Sequence, residues 1–235
     1  MRCWWVLSFA VLISCSTTPA TTTTTVAATT TTVAPTTSTT SLPSTTTSTT
    51  DVELVVPEGY LLHDHQALGF GLALPESWRA SVLPTLRPDL ALQDLKDKDF
   101  RAALATRMEV TAKAGGIFFA YDTKKPTVNL NLFVQPVVAP AEGEPAARNA
   151  LATAGATNLE VGLVDLPIGV AVQVKYELSV ELDDGPTVET YGEVYLLTGP
   201  GWTAELTMAG SAKEASAGRF KKIASTVRLY PRPEI

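Results

Sequence analysis

Between residues 170 and 182 the apolar side chains fall on every second position. Val170, Val172, Val174, Tyr176, Leu178, Val180 and Leu182 alternate with Ala171, Gln173, Lys175, Glu177, Ser179 and Glu181. A period of two puts one set of side chains on one face of an extended chain, so the segment predicts a long strand with a single buried face. Asp183-Asp184-Gly185-Pro186 reads as a turn, and residues 187–198, with Val188, Val194 and Leu196, predict its antiparallel partner. Gly199-Pro200-Gly201 makes the next turn. Trp202, Ala204, Leu206 and Met208 then alternate with Thr203, Glu205 and Thr207, which extends the hairpin to a three-strand meander. Upstream, Val128, Leu130, Leu132 and Val134 alternate with Asn129, Asn131, Phe133 and Gln135, and Phe70, Leu72 and Leu74 alternate with Gly and Ala. These segments predict two further strands, and Ile117–Tyr121 another.

Helical spacing falls between the strands. In residues 98–113, Phe100, Leu104 and Met108 stand at i, i+4 and i+8 and make one apolar stripe. Pro145 suits a first-turn position and Gly155 a C-terminal stop, predicting a short helix over 145–154 with Leu151 facing inward. A last helix is expected from about Ala212 to Ile223, leading into a final strand near Thr226–Leu229. Together these elements predict an α+β domain, a mainly antiparallel sheet with helices packed on it, over residues 57–235.

The first 56 residues follow neither period. Met1 to Ser14 place one positive charge, Arg2, before an almost wholly apolar run, the layout of a secretory leader. The run is roughly a dozen residues, short of the ~20 that a helix needs to cross the hydrocarbon of a bilayer. Its end, Leu12-Ile13-Ser14-Cys15, resembles the bacterial lipobox, in which an aliphatic residue three positions before a cysteine and a small residue directly before it direct lipid attachment and cleavage. On that resemblance residues 1–14 are a lipoprotein signal peptide, the Ser14–Cys15 bond is cleaved, and Cys15 carries the lipid as the mature amino terminus. Two acyl chains are enough for stable anchoring where one is marginal.

Residues 16–50 contain no charged side chain and are nearly all Thr, Ser, Ala, Pro and Val. Too few large apolar groups are present to offset the entropy of ordering, so residues 15–56 are expected to be a disordered tether. As a random coil a segment of this length spans roughly 30–35 Å, enough to hold a domain clear of a lipid surface.

Charge narrows the partners. All twenty-four acidic residues lie at or after Asp51; removal of Arg2 with the leader leaves seventeen basic residues against them, a net charge of −7. Nucleic acid is an unsuitable partner for such a chain. Cys3 goes with the leader and Cys15 with the lipid, so the folded domain keeps no thiol or disulfide.

Several segments carry a family resemblance over most of Gly69 to Leu229. They are Gly-Phe-Gly-Leu-Ala-Leu-Pro-Glu-Ser-Trp (69–78), Asn-Leu-Asn-Leu-Phe-Val-Gln-Pro (129–136), Leu-Pro-Ile-Gly-Val-Ala-Val-Gln-Val-Lys-Tyr (166–176), Gly-Trp-Thr-Ala-Glu-Leu-Thr (201–207) and Phe-Lys-Lys-Ile-Ala-Ser-Thr-Val-Arg-Leu (220–229). In their order the chain resembles the Mog1/PsbP-like domain, and within it the LpqN-type actinobacterial lipoproteins. The resemblance implies an α/β/α sandwich around a central antiparallel sheet, and accessory or binding roles without a shared catalytic motif.

Candidate chemistry is sparse. His63 and His65 flank Asp64, and in an extended chain both imidazoles lie on one side; two ligands do not make a zinc site, and the expectation is a solvated lead-in segment. Asp183-Asp184 lacks the spaced oxygens of a calcium loop. Gly69-x-Gly71 lacks the further glycine of a dinucleotide fingerprint, and no nucleophile elbow or P-loop is present. Lys221-Lys222 suit the end of the last helix as a solvated pair. Trp78 and Trp202 are expected as core residues.

The sequence therefore assigns no catalytic, metal or cofactor-binding residue, with Cys15 as the one lipidation site. It predicts a membrane-anchored extracytoplasmic lipoprotein, held at the outer face of the cytoplasmic membrane or in the cell envelope. Its role is expected to be that of a non-enzymatic binding or accessory module for a protein or envelope component. The alternatives are a carrier of an apolar, lipid-like ligand in a pocket between sheet and helices, and a hydrolase gathering carboxylates or His63 and His65 in a cleft.

Overall fold

The computed structural model describes residues 55–232 other than 86, 94, 138, 181–186 and 211–217. The leader, Cys15, the threonine-rich segment and the Asp183-Asp184 turn lie outside the described residues. Among the described residues ten strands are present: β1 (Tyr60–His65), β2 (Phe70–Pro75), β3 (Trp78–Val82), β4 (Gly116–Asp122), β5 (Lys125–Gln135), β6 (Thr157–Leu166), β7 (Gly169–Val180), β8 (Val188–Thr198), β9 (Thr203–Gly210) and β10 (Arg228–Leu229). The same residues include the α-helices α1 (Pro88–Ala91), α2 (Lys98–Lys113), α3 (Pro140–Thr153) and α4 (Arg219–Ala224).

The main sheet has seven strands in the order β3-β4-β5-β9-β8-β7-β6, every neighbour antiparallel. It joins two meanders, β3-β4-β5 and β6-β7-β8-β9, through the pairing of β5 with β9. The expected hairpin of β7 and β8 and its extension to β9 are present, with Val174 opposite Val194 and Val194 opposite Thr207. Phe70–Pro75 does not join this sheet. It pairs with β1 and β10 in a separate three-stranded sheet of order β1-β2-β10. All five of its residues Phe70 to Leu74 are buried, so β2 is enclosed on both faces.

Three apolar clusters build the layers. The largest packs β2 (Phe70, Leu72, Leu74) and α4 (Phe220, Ile223, Ala224) against Phe118, Leu130, Leu132, Leu206 and Met208 of the main sheet. On the opposite sheet face, Ala147 and Leu151 of α3 meet Val172, Val174, Tyr176, Val194 and Leu196. On that same opposite face, Leu104 and Met108 of α2 meet Phe119 and Tyr121 of β4. The fold is α+β around an antiparallel sheet, as expected; the layer beside α4 is completed by the small sheet.

The helix over 98–113 is α2 itself, with Asp97 as its N-cap: the carboxylate accepts from Asp99 N and Phe100 N at 3.0 Å each. α3 starts at Pro140, five residues before the expected first-turn proline. Pro140 takes the N-terminal position that proline favours, and Pro145 lies inside the helix, where its missing N–H leaves out one backbone bond. The last helix, expected from about Ala212, begins at Arg219 with Gly218 as its N-cap at φ 69°, and residues 211–217 lie outside the described ones. β1 lacks a clean period of two because Leu61 and Leu62 are consecutive, β6 loses it at Leu163-Val164, and β3, in which Trp78, Ala80 and Val82 alternate with Arg79 and Ser81, is only five residues long. β6 has a bulge between Thr157 and Glu160, where Asn158 adopts φ 50°.

Candidate functional site

Three-way strand pairing aligns side chains in rows across the face that carries α2 and α3. One row runs Leu163, Val172, Leu196, Glu205, Phe133; the next runs Val161, Val174, Val194, Thr207, Asn131, Phe119. The rows are aliphatic under α3 and aromatic under α2. Between the two clusters lies a polar band made by β5 and β9: Asn129, Asn131, Glu205 and Thr207, with Gln135 and Thr203 at its end. β9 is buried at all eight positions. The alternation Thr203, Glu205, Thr207 is that of a solvent face, yet here it is covered.

Within this band most groups find partners. Thr111 of α2 donates to Asn131 Oδ1 at 3.3 Å, and Asn129 Nδ2 donates to the Thr127 carbonyl at 2.9 Å. Gln135 Nε2 donates to Glu205 Oε2 at 3.0 Å. Glu205 Oε1 and Thr207 Oγ1 are buried, linked to each other through the Thr207 hydroxyl. Glu205 is 1% exposed. Burial pushes its pKa up to about 7, against the pull of the Gln135 amide and of the Thr207 hydroxyl.

Two further side chains reach toward the band. Tyr176 of β7 packs against Gly192 of β8, where a Cβ would fall 2.1 Å from the Tyr176 Cζ. Its pKa is raised to about 12, by burial first and by the Glu205 charge as well, while Arg107 of α2 lowers it. Arg107 is half-buried; burial lowers its pKa to about 10, opposed by Tyr176, and it stays charged at neutral pH.

The opposite sheet face offers a contrast. Glu193 of β8 is also buried, at 4% exposure. It accepts from Gln173 Nε2 at 2.9 Å, from Tyr191 at 3.1 Å and from the Tyr195 hydroxyl, so both its oxygens are satisfied. Burial raises the pKa of Tyr191 and Tyr195, and the Glu193 carboxylate raises both further.

His63 and His65 sit on β1, a paired strand, and their expected place in a solvated lead-in is corrected. Both rings are half-buried. His63 meets Phe118 at 6.0 Å between centroids, and His65 meets Phe70 at 5.1 Å and Phe118 at 5.6 Å. The shared side foreseen from the spacing is real; what covers it is the edge of the largest apolar cluster. Desolvation lowers both pKa values, reinforced by His65 for His63 and opposed by Asp64 for His65. Because Phe118 and Glu205 belong to opposite faces of the main sheet, the histidines and the buried acid do not meet. Among the described residues no group of three or more His, Cys, Asp or Glu comes together as a metal site.

The remaining sequence candidates are structural. Trp78 and Trp202 are buried, with Arg219 over the first ring at 5.5 Å and Arg232 over the second at 5.6 Å. Lys221 and Lys222 are exposed in the last turn of α4, Lys222 lying 4.7 Å over the Tyr60 ring. Gly69 holds φ +87° and passes under Arg232, so its role is a backbone turn. The polar band was hidden in the sequence. The available signal was the pair of helices 98–113 and 145–154, which need a sheet face to pack on and so must cover one set of alternating positions.

The α+β architecture and its antiparallel strand order define the class of domain. No family model matches the chain, and no curated protein matches it. Solved structures do. PsbP from the cyanobacterium Synechocystis sp. PCC 6803 is similar at 12% identity and TM-score 0.46, over 75% of this chain and 95% of that one. The Ran-binding protein Mog1p of Saccharomyces cerevisiae is similar at 8% identity and TM-score 0.43, over 72% and 95%. LpqN of Mycobacterium tuberculosis, a protein involved in cell envelope biogenesis, is similar at 12% identity and TM-score 0.41, over 73% and 91%.

Proposed function

We propose that the chain is an exported lipoprotein, anchored through Cys15, whose α+β domain acts as a non-enzymatic binding or accessory module for a protein or another component of the cell envelope. The observation that carries the binding role is the state of the layer between the main sheet and β2 with α4. It is one contacting cluster of side chains such as Leu72, Phe118, Leu130, Leu206 and Phe220, all at 0% exposure. A carrier would need room for its ligand among these residues, so recognition is assigned to other surfaces of the domain. The hydrolase alternative loses its support from the separation of His63 and His65 from Glu205 by the thickness of the sheet.

The anchor rests on the leader and its Leu12-Ile13-Ser14-Cys15 ending. Among the described residues no helix is long and apolar enough to cross a membrane. Expression of the wild-type chain and of Cys15→Ser in an actinobacterial host tests this reading by fractionation and intact mass. The wild type should sediment with membranes and carry a diacylglycerol mass on a chain starting at Cys15, and the variant should lose both. Equal membrane association of the two would overturn the anchor.

A further inference from the structure

An edge strand offers a row of backbone N–H and C=O groups to any extended chain, and folded proteins guard such edges with short length, basic residues, inward-turned polar groups or bulges. Among the described residues three sheet edges of this chain are guarded. β3 has five residues and carries Arg79, β10 has two, one of them Arg228, and β1 has six and turns His63 and His65 onto Phe118. β6 is different. It ends the main sheet with β7 as its one neighbour, runs ten residues from Thr157 to Leu166, and contains no proline and no basic residue. Its bulge lies between Thr157 and Glu160, so its pairing with β7 is regular from Glu160 to Leu166.

The side chains of this edge divide by face. Val161 and Leu163 stand beside Val174 and Val172 on the face that carries α3, yet Leu163 is 62% exposed, and Val170, diagonal to it on β7, is 50% exposed. α3 therefore covers Val172 and Val174 and stops short of the rim. On the other face Glu160 lies beside Lys175 at 3.6 Å, and Glu177 follows on β7, accepting from Asn158 at 2.6 Å. Asp165 is exposed on the α3 side. Lys175 offsets one of these three carboxylates and leaves the rim net negative.

Taking the binding role above as given, we propose that β6 is the docking edge for an extended segment of a partner protein, apolar toward the α3 face and basic toward Glu160 and Glu177, which adds a strand to the main sheet. Backbone groups supply the pairing, an apolar side chain continues the row of Leu163 and Val172, and lysine or arginine meets the negative rim. A second copy of this chain fits less well, because β6 against β6 brings Glu160 and Asp165 of both copies to one seam with no basic residue on either strand.

The test uses the full-length chain, hydrogen–deuterium exchange read by mass spectrometry, and two capped peptides of the length of β6, one alternating valine with lysine and the other valine with glutamate. The valine–lysine peptide should slow exchange in residues 157–166 alone and bind about tenfold more tightly than the valine–glutamate peptide at low salt. Glu160→Lys with Asp165→Lys should reverse that preference, while Arg79→Glu on β3 leaves it unchanged; the comparison on the wild type needs no variant to fold. Slowed exchange on another element instead overturns the edge and keeps the binding role. No slowing anywhere by either peptide overturns the edge and withdraws the support for a protein partner as well. Equal slowing by both peptides overturns the basic partner, and so does slowing in 157–166 that grows with chain concentration when no peptide is added, which makes the occupant a second copy.

Discussion

Replacing Glu205 by Gln removes one charge from the polar band and keeps the side-chain shape and an oxygen for Gln135 to donate to. In the folded chain Glu205 titrates at about 7, against an ordinary value of 4.5, and burial is the main cause. The folded state therefore holds the proton more tightly than the unfolded state. Below the unfolded pKa both states are protonated and the group is neutral in the balance. As pH rises from there through the folded pKa, stability is lost, reaching about 3 kcal/mol above neutrality. Glu205→Gln has no such penalty. It should match the wild type near pH 4 and exceed it by about 3 kcal/mol at pH 8, which for a domain of this size is roughly 6–12 °C in Tm. Urea unfolding of both proteins across this pH range, in sodium salts, gives the difference directly. A difference that does not change with pH, or a variant less stable at pH 8, would refute the burial argument.

Four further outcomes are expected. Gly192→Ala places a Cβ in the Tyr176 ring and should cost about 1–3 kcal/mol in urea unfolding, with Tyr176→Ala in the same chain reducing the further loss. Thr226 accepts from Ala73 N at 2.8 Å and donates within the buried contact of α4 with β2, so Thr226→Val orphans a buried N–H and should cost about 1–3 kcal/mol, read as a lower urea midpoint at unchanged m. Arg219 pairs at 2.8 Å with Asp122, which is 3% exposed; Arg219→Met should cost about 3–5 kcal/mol near neutral pH, and Asp122→Asn in the same chain should recover part of it. His63 and His65 are held neutral by burial, so stability should fall as pH drops below the ordinary histidine value, and the double change to Phe should flatten that limb in thermal unfolding.

Much of the strand pattern was legible because it is local. The alternation from Val170 to Leu182 and from Trp202 to Met208, and the i, i+4, i+8 stripe of Phe100, Leu104 and Met108, each record burial on one side of one element, and β7, β9 and α2 follow them. The same logic placed Trp78 and Trp202 in the interior. It overlooked β1 because Leu61 and Leu62 are consecutive and both largely exposed, so an edge strand there shows no period. It misplaced the start of α3 because two prolines, Pro140 and Pro145, compete for one preferred position.

What the sequence determined by itself was the division of the chain: a short apolar run near Met1, an uncharged Thr-rich segment, and a periodic region rich enough in apolar residues to fold. Only tertiary structure decided that β2 leaves the main sheet to pair with β1 and β10. Strand pairing joins residues as distant as Phe70 and Leu229, and no local pattern specifies that partner. Tertiary structure also decided the fate of Glu205. A Thr-Ala-Glu-Leu-Thr run satisfies a half-exposed strand, and the polar positions become buried only because two helices from elsewhere in the chain pack on either side of them. The physical reason is that periodicity reports which residues share a face, whereas the covering of the second face is set by long-range packing.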